Sequence, residues 1–457
     1  MKKNNGSLDR LKANPMIAFL IPVIFASVLQ SLGQVFGIIV VGQTLGVDAL
    51  AAISAFFPIL FFLISFAVGI GSGSSILIGQ TYGGGKISKM KEVVGVTLAF
   101  TMLASAFVAI LGSMFTANIL RSMGTPENIL QESIEYARIL FVSLPITFMY
   151  MTYTTFLRGV GDSKTPLYAL VLNTVLNITL LPLLMFGWLE LPAFGLNGAA
   201  YAAVFANFIT FVFLIAYLYT TKHVLKPDRT ILRYLYFKGP IVKKLLTLAI
   251  PTSINMVAIA MSEIAVITFV NDYGSNATAA YGIVNQLVSY IQIPAMSISI
   301  AISVFVAQAI GAGKTATIQQ ITKLGVKLNY LLGGGLIVIV YLFAEPILKI
   351  FLTNDVAIEM AKSLVLISFW GYVLFGHMQA LSATMRATGT VLWPTVFMIA
   401  SIWLIEVPTA YFLSHYTELG ITGIWIAYPV AFMVNLLVQA TYHHVVWKKK
   451  SLKALLA

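Results

Sequence analysis

Long apolar runs separated by short polar stretches organise the 457-residue chain, and twelve of them can be drawn. Their approximate limits are 16–41, 51–78, 93–117, 134–157, 167–187, 198–220, 246–271, 279–309, 328–344, 363–385, 394–414 and 421–443. A helix needs about 17–25 residues to cross roughly 30 Å of hydrocarbon, and every run is at least long enough. They show none of the polar/apolar alternation of a membrane β-strand. The pattern therefore predicts an all-α integral membrane protein with twelve transmembrane helices. The first run follows the basic stretch MKKNNGSLDRLKANPM. It is too long for a signal-peptide core and lacks a small-x-small cleavage site, so it is expected to be retained.

The pattern also repeats. At a shift of 228, Gln80-x-x-Gly83-x-Gly85-Lys86 falls on Gln308-x-x-Gly311-x-Gly313-Lys314, and Arg158-x-x-Gly161-x4-Pro166 falls on Arg386-x-x-Gly389-x4-Pro394. Ile21-Pro22 and Ile250-Pro251 agree at 229, and Gly195-Leu-Asn-Gly198 resembles Gly420-Ile-Thr-Gly423 at 225. Each half has six runs, an even number, so both halves enter the membrane from the same side as a parallel repeat. The expected organisation is an N-terminal lobe over 1–220, a cytoplasmic linker over 221–245 and a C-terminal lobe over 246–457. Within the linker, TILRYLYF reads as a short amphipathic helix on the membrane surface.

Composition narrows the class. Only 10% of residues are charged and 59% are hydrophobic, with a mean hydropathy of +0.91. Soluble domains carry roughly 25% charged residues, which excludes an ordinary soluble enzyme. The net charge of +12 is a matter of position: 24 of the 28 Lys and Arg residues fall on one side of the predicted spans, and Arg121, Arg138, Lys349 and Lys362 on the other. The positive-inside rule then puts both termini in the cytoplasm of a multi-pass cell-membrane protein. The basic clusters read as anchors beside anionic headgroups, not as a nucleic-acid surface. There is no Cys and no H-E-x-x-H spacing, and no cluster of His, Asp or Glu or Ser/His pair that would serve an enzyme. The glycine loops ending at Lys86 and Lys314 lack the full phosphate-loop spacing and are expected to be tight turns.

Phe156-Leu-Arg-Gly-Val-Gly-Asp-Ser-Lys-Thr-Pro166, Leu176-Asn177-Ile-Thr-Leu-Leu-Pro182, Gly195-Leu-Asn-Gly198 and Val41-Gly42-x-x-Leu45-Gly46, together with the duplicated layout, resemble the multidrug and toxic compound extrusion (MATE) transporters over essentially the whole chain. The resemblance implies a V-shaped, twelve-helix antiporter with a central cleft between two pseudo-symmetric six-helix bundles. Such a protein expels organic cations against an inward flow of H+ or Na+ by alternating access. It implies amphipathic cationic small molecules and membrane lipids as partners, a monomer, and no cofactor beyond the coupling ion. The alternative is a flippase or exporter of lipid-linked or other amphipathic metabolites on a related two-lobed fold. That reading calls for a basic cavity, and the runs have almost no interior Lys or Arg. Two acids common in the family are missing: Gly37 and Leu181 stand where the first and fifth helices often carry Asp. Asn177 survives of that polar group.

Of the 16 acids only Glu263 and Glu406 lie deep inside apolar runs, the seventh and eleventh, while Glu135 stands at the very start of the fourth. A charge within hydrocarbon costs about 2.5–3.5 kcal/mol on insertion scales, so each should face a cavity or a partner. Subtracting the repeat places Glu263 over Gln34 and Glu406 over Ile178, near the positions where the first half lacks its acids. The expectation is an ion-coupling site in the C-terminal half, where a proton or a cationic drug competes for the same negative charge, with H+ favoured over Na+. His377 is a candidate proton partner. Asn255, Asn285, Gln286 and Gln379 are candidates to line the same cavity or to bond neighbouring helices.

Overall fold

The computed structural model describes residues 5–187 and 192–456, with side chains from Pro15 onward. Lys2 and Lys3 lie outside the described residues, as do the side chains of Arg10 and Lys12. Among the described residues all regular structure is helical. The first half holds α1 (Asn5–Leu45), α2 (Val47–Gly83), α3 (Ile87–Ser122), α4 (Glu127–Gly159), α5 (Lys164–Phe186) and α6 (Gly195–Thr220). After the short α7 (Arg229–Arg233) come α8 (Gly239–Asn271), α9 (Ser275–Gly311), α10 (Ile318–Leu342) and α11 (Ala344–Phe351). The chain finishes with α12 (Asp355–Ser368), α13 (Gly371–Ala387), α14 (Leu392–Ala400), α15 (Val407–Tyr416) and α16 (Ile421–Val445).

Among the described residues eleven helices are long and apolar enough to cross a membrane, or twelve if α12 and α13, bent by 44° at their break, count as one span. Their outer faces carry large apolar side chains, including Phe25, Phe62, Leu331 and Leu404, each at least 60% exposed. Lipid solvates this surface, as hydrocarbon-facing side chains require. The interiors pack large rings and aliphatic groups, Phe56, Phe141 and Phe148 in one cluster and Tyr281, Phe369 and Trp425 in another.

The duplication is visible in the backbone. The carbonyls of Gln80, Thr81 and Tyr82 accept from the N–H groups of Gly84, Lys86 and Gly85, and those of Gln308, Ala309 and Ile310 accept from Ala312, Lys314 and Gly313 in the same pattern. Gly85 and Gly313 both have φ of 70°, and Gly161 and Gly389 have 91° and 90°. Such left-handed residues close helix C-termini, and glycine occupies them without a Cβ penalty. The loops before Lys86 and Lys314 are thus helix-ending turns, as their spacing suggests. Gly198 and Gly423 are equivalent contacts: a Cβ on either would sit 2.6 Å from the end of the preceding helix, at Leu184 and Leu413. Small residues permit that backbone approach.

The chain divides into two compact units, Ile21–Ile250 and Met1–Leu20 with Pro251–Ala457. The divisions fall at the Ile-Pro pairs of α1 and α8. They differ from limits at 220 and 246 because packing, not composition, sets them. Phe19 meets Phe305 of α9 edge-on at 5.7 Å, which ties the start of α1 to the second unit. Residues 221–250 pack on the first unit instead of linking freely. Leu225 and Ile231 are buried, and the Tyr153 hydroxyl donates to the Leu225 carbonyl at 2.5 Å. Lys91 pairs with Asp228, and Glu92 takes both Lys89, at 3.0 Å, and Lys238. TILRYLYF does not form the amphipathic helix its pattern suggests. Asp228 caps a single turn by accepting from the N–H groups of Thr230 and Ile231, and Tyr234 already leaves it.

Candidate ion and substrate site in the second unit

Helix periodicity assembles the site. Ile259, Ser262 and Glu263 share one face of α8, since residues three and four apart are neighbours on a helix. Tyr372 and Phe375 come from α13, Met398 from α14, and Tyr428, Phe432 and Asn435 from α16. All of these line one cavity of about 90 Å³ with Gln292, Ser401, Ile402, Glu406 and Ala431. The two intramembrane acids, 143 residues apart in sequence, therefore share a space.

Glu406 ends a π-helical turn, Ser401–Glu406, in which the Val407 N–H bonds to the Ile402 carbonyl five residues back. The cause is local: Pro408 has no N–H to give the preceding turn, and its ring would crowd the carbonyl four residues earlier. Wide turns of this kind recur at functional sites. Glu406 is only 5% exposed, whereas Glu263 keeps more than a third of its surface accessible, so one acid is deep and the other open. No Lys, Arg or His lines the cavity. A carboxylate buried without a basic partner needs a proton or a bound cation to neutralise it.

The other expected residues separate. Asn285 bonds to Tyr281, whose hydroxyl meets that of Tyr428 at 2.7 Å, so it reaches the cavity through two phenols. Gln286, the next residue, is exposed on another face of α9. Asn255 lies on α8 two turns before Glu263, half-buried, with its Oδ1 unbonded. Gln379 is buried one turn beyond Phe375 and donates to the Met296 sulfur at 3.4 Å. His377 turns to α10, where its Nδ1 meets the Tyr330 hydroxyl at 3.1 Å, and it does not line the cavity. Asn177 and Gln34 belong to the first unit. Asn177 donates to the carbonyl and Oδ1 of Asn173 at 3.0 Å, while Gln34 is exposed.

Sequence reasoning missed Ser262, Gln292, Tyr372, Ser401, Tyr428 and Asn435. A signal was present for the last: Asn435, Gln439 and His443 recur every four residues in an otherwise apolar run. Among the described residues no group of three or more His, Asp or Glu could hold a metal ion.

A family model described as MatE matches residues 22–183 and again 251–412, two copies 229 residues apart. The chain is 53% identical over 455 residues to the probable multidrug resistance protein YoeA of Bacillus subtilis, covering 100% of this chain and 97% of that protein. It is 26% identical to a FAD transporter of Shewanella oneidensis over 84% of each chain. A solved MOP superfamily transporter from Pyrococcus furiosus shares the fold, with a TM-score of 0.87 at 24% identity over 96% of this chain and 97% of that one.

Proposed function

We propose, for a chain that belongs to the MatE family, that it is a secondary-active exporter of amphipathic cationic compounds, driven by inward H+ through alternating exposure of one site. The observation that carries the reading is the pair Glu263 and Glu406 in one cavity with no basic residue. When both acids are charged the cavity attracts a cation, and when protonated it releases one. Proton and substrate thus bind in competition, which couples their opposite movements.

The lining chemistry also selects among substrates. A flavin dinucleotide or a lipid diphosphate is anionic and calls for Lys or Arg, whereas this cavity offers two acids, hydroxyls, amides and aromatic faces suited to an organic cation. At about 90 Å³ the space admits an ion and a few waters. Drug-sized ligands fill roughly 300–1,000 Å³, so substrate entry requires α8 or α16 to move. A Na+-coupled version is favoured by one feature, the neutral oxygens of Ser262, Ser401, Tyr428 and Asn435 around the acids. In this reading the protein works as a monomer in the cell membrane with both termini in the cytoplasm.

The test is efflux of a lipophilic cation from vesicles under an imposed pH gradient or an imposed Na+ gradient. Wild type is expected to respond to the pH gradient, and Glu263→Gln and Glu406→Gln to respond more weakly, Glu406→Gln most of all. A response to Na+ alone establishes the second version, and unchanged coupling in both variants overturns the site.

A further inference from the structure

One face of α16 carries polar groups that export of a cation does not by itself require. Asn435, Gln439 and His443 recur at four-residue intervals, which aligns them along the helix, and they are 1%, 1% and 4% exposed. Asn435 lines the acid cavity. Its amide donates to the Met398 sulfur at 3.2 Å, a weak acceptor, and its Oδ1 accepts from Gln439 Nε2 at 2.9 Å. Gln439 Oε1 and both ring nitrogens of His443 are buried with no hydrogen-bond partner. Buried polar atoms in proteins are nearly always bonded, by ordered water where no side chain reaches. Three such atoms lie on one stripe with Asn435, the residue that lines the cavity. From Asn435 to His443 the helix rises about 12 Å.

We propose that this ladder conducts protons between the Glu263–Glu406 cavity and the C-terminal end of α16, which Lys448, Lys449 and Lys450 follow. The proposal rests on the proton-coupled reading of the cavity and adds the route by which the proton leaves or enters it. A proton leaves the Glu406 carboxyl to water, passes the Gln439 amide by water exchange, and enters one nitrogen of His443 as another proton leaves from the second. A neutral imidazole carries one donor and one acceptor, which is what such a relay needs. Trp447 stacks on the His443 ring at 4.7 Å, and its Nε1 donates to the Thr388 hydroxyl at 3.1 Å, so the ring is held in place at the exit. The titratable groups acting on His443 are His444 and Lys448 near it in sequence and His377 from α13, and none is acidic. The relay is therefore not trapped by a carboxylate.

The experiment follows the carboxyl infrared band of Glu406, assigned by its loss in Glu406→Gln, after a pH jump on the reconstituted full chain. His443→Phe keeps the ring on Trp447 without nitrogens, and Gln439→Leu keeps volume without the amide. Each is expected to slow protonation of the band by at least about tenfold. Gln439→Glu, which retains hydrogen bonding and adds a protonatable group, is expected to restore the rate. Wild-type rates in both deleted variants, or altered melting with unaltered rates, overturn the path, as does a slow Gln439→Glu. If the band slows as stated while wild type shows no pH-driven efflux, the path stands and the coupling reading falls.

Discussion

The two units share one plan and differ in what they bury between their helices. In the first, Asn173 of α5 bonds to Asn207 of α6 at 3.0 Å and to Asn177, and Asn207 reaches the Thr147 hydroxyl of α4 at 3.2 Å. That cluster is neutral and bonded to itself. In the second, α8 and the π-helical turn before α15 bring two acids to one cavity. A closed amide cluster holds helices together, whereas an acid pair without a base demands an ion. Duplication has left one scaffold in two chemical states, and the fold alone does not say which half carries the chemistry.

The contrast can be broken at several places. Glu406→Gln is expected to have the largest effect, lowering pH-driven efflux by about a hundredfold, the scale of losing an essential protonatable group. Glu263→Gln, at the open side, is expected to cost about tenfold. Pro408→Ala restores an N–H to the turn before it, so the π-helical turn is expected to relax towards regular helix. The melting temperature should rise while transport slows severalfold. Asn177→Leu removes a bond worth about 1 kcal/mol in a membrane interior. It should lower the melting temperature by a few degrees and leave efflux per folded molecule unchanged. A loss of coupling there would move the site to the first unit.

The smallest effect concerns the packed segment after α6. Burial pushes the Asp228 carboxyl up, but its bonds to Lys91 and to the N–H groups of Ile231 and Thr230 outweigh this and hold it below the usual range. Burial lowers His223 against the pull of Asp162. Both shifts are depressions, so the folded state binds fewer protons than the unfolded state. Their contribution is present above the ordinary values of each group and is lost as pH falls through the lowered ones. A spin label at position 236 should gain mobility first as pH falls below the ordinary histidine range and again as it falls below the ordinary aspartate range. Constant mobility across that range contradicts the assignment.

Much of the fold was legible because membrane helices are dictated by length and apolarity, and the repeat by glycines that only a turn explains. The unit boundaries were not, because they depend on contacts such as Phe19 with Phe305, distant in sequence. The two acids stood out because charge in hydrocarbon is rare. Their hydroxyl and amide surroundings did not, since a serine or tyrosine in an apolar run is ordinary until a helix face is drawn. His377 misled for the same reason: it falls in an apolar run, but its position on α13 turns it to Tyr330. The wide turn at Glu406 was encoded in Pro408, two residues on.

The most direct test of the central claim is proton release on substrate binding, followed with a pH indicator in weakly buffered detergent solution. On this account wild type releases about one proton per lipophilic cation bound, and Glu406→Gln binds the cation with release abolished. Release that persists unchanged in Glu406→Gln and Glu263→Gln would contradict it.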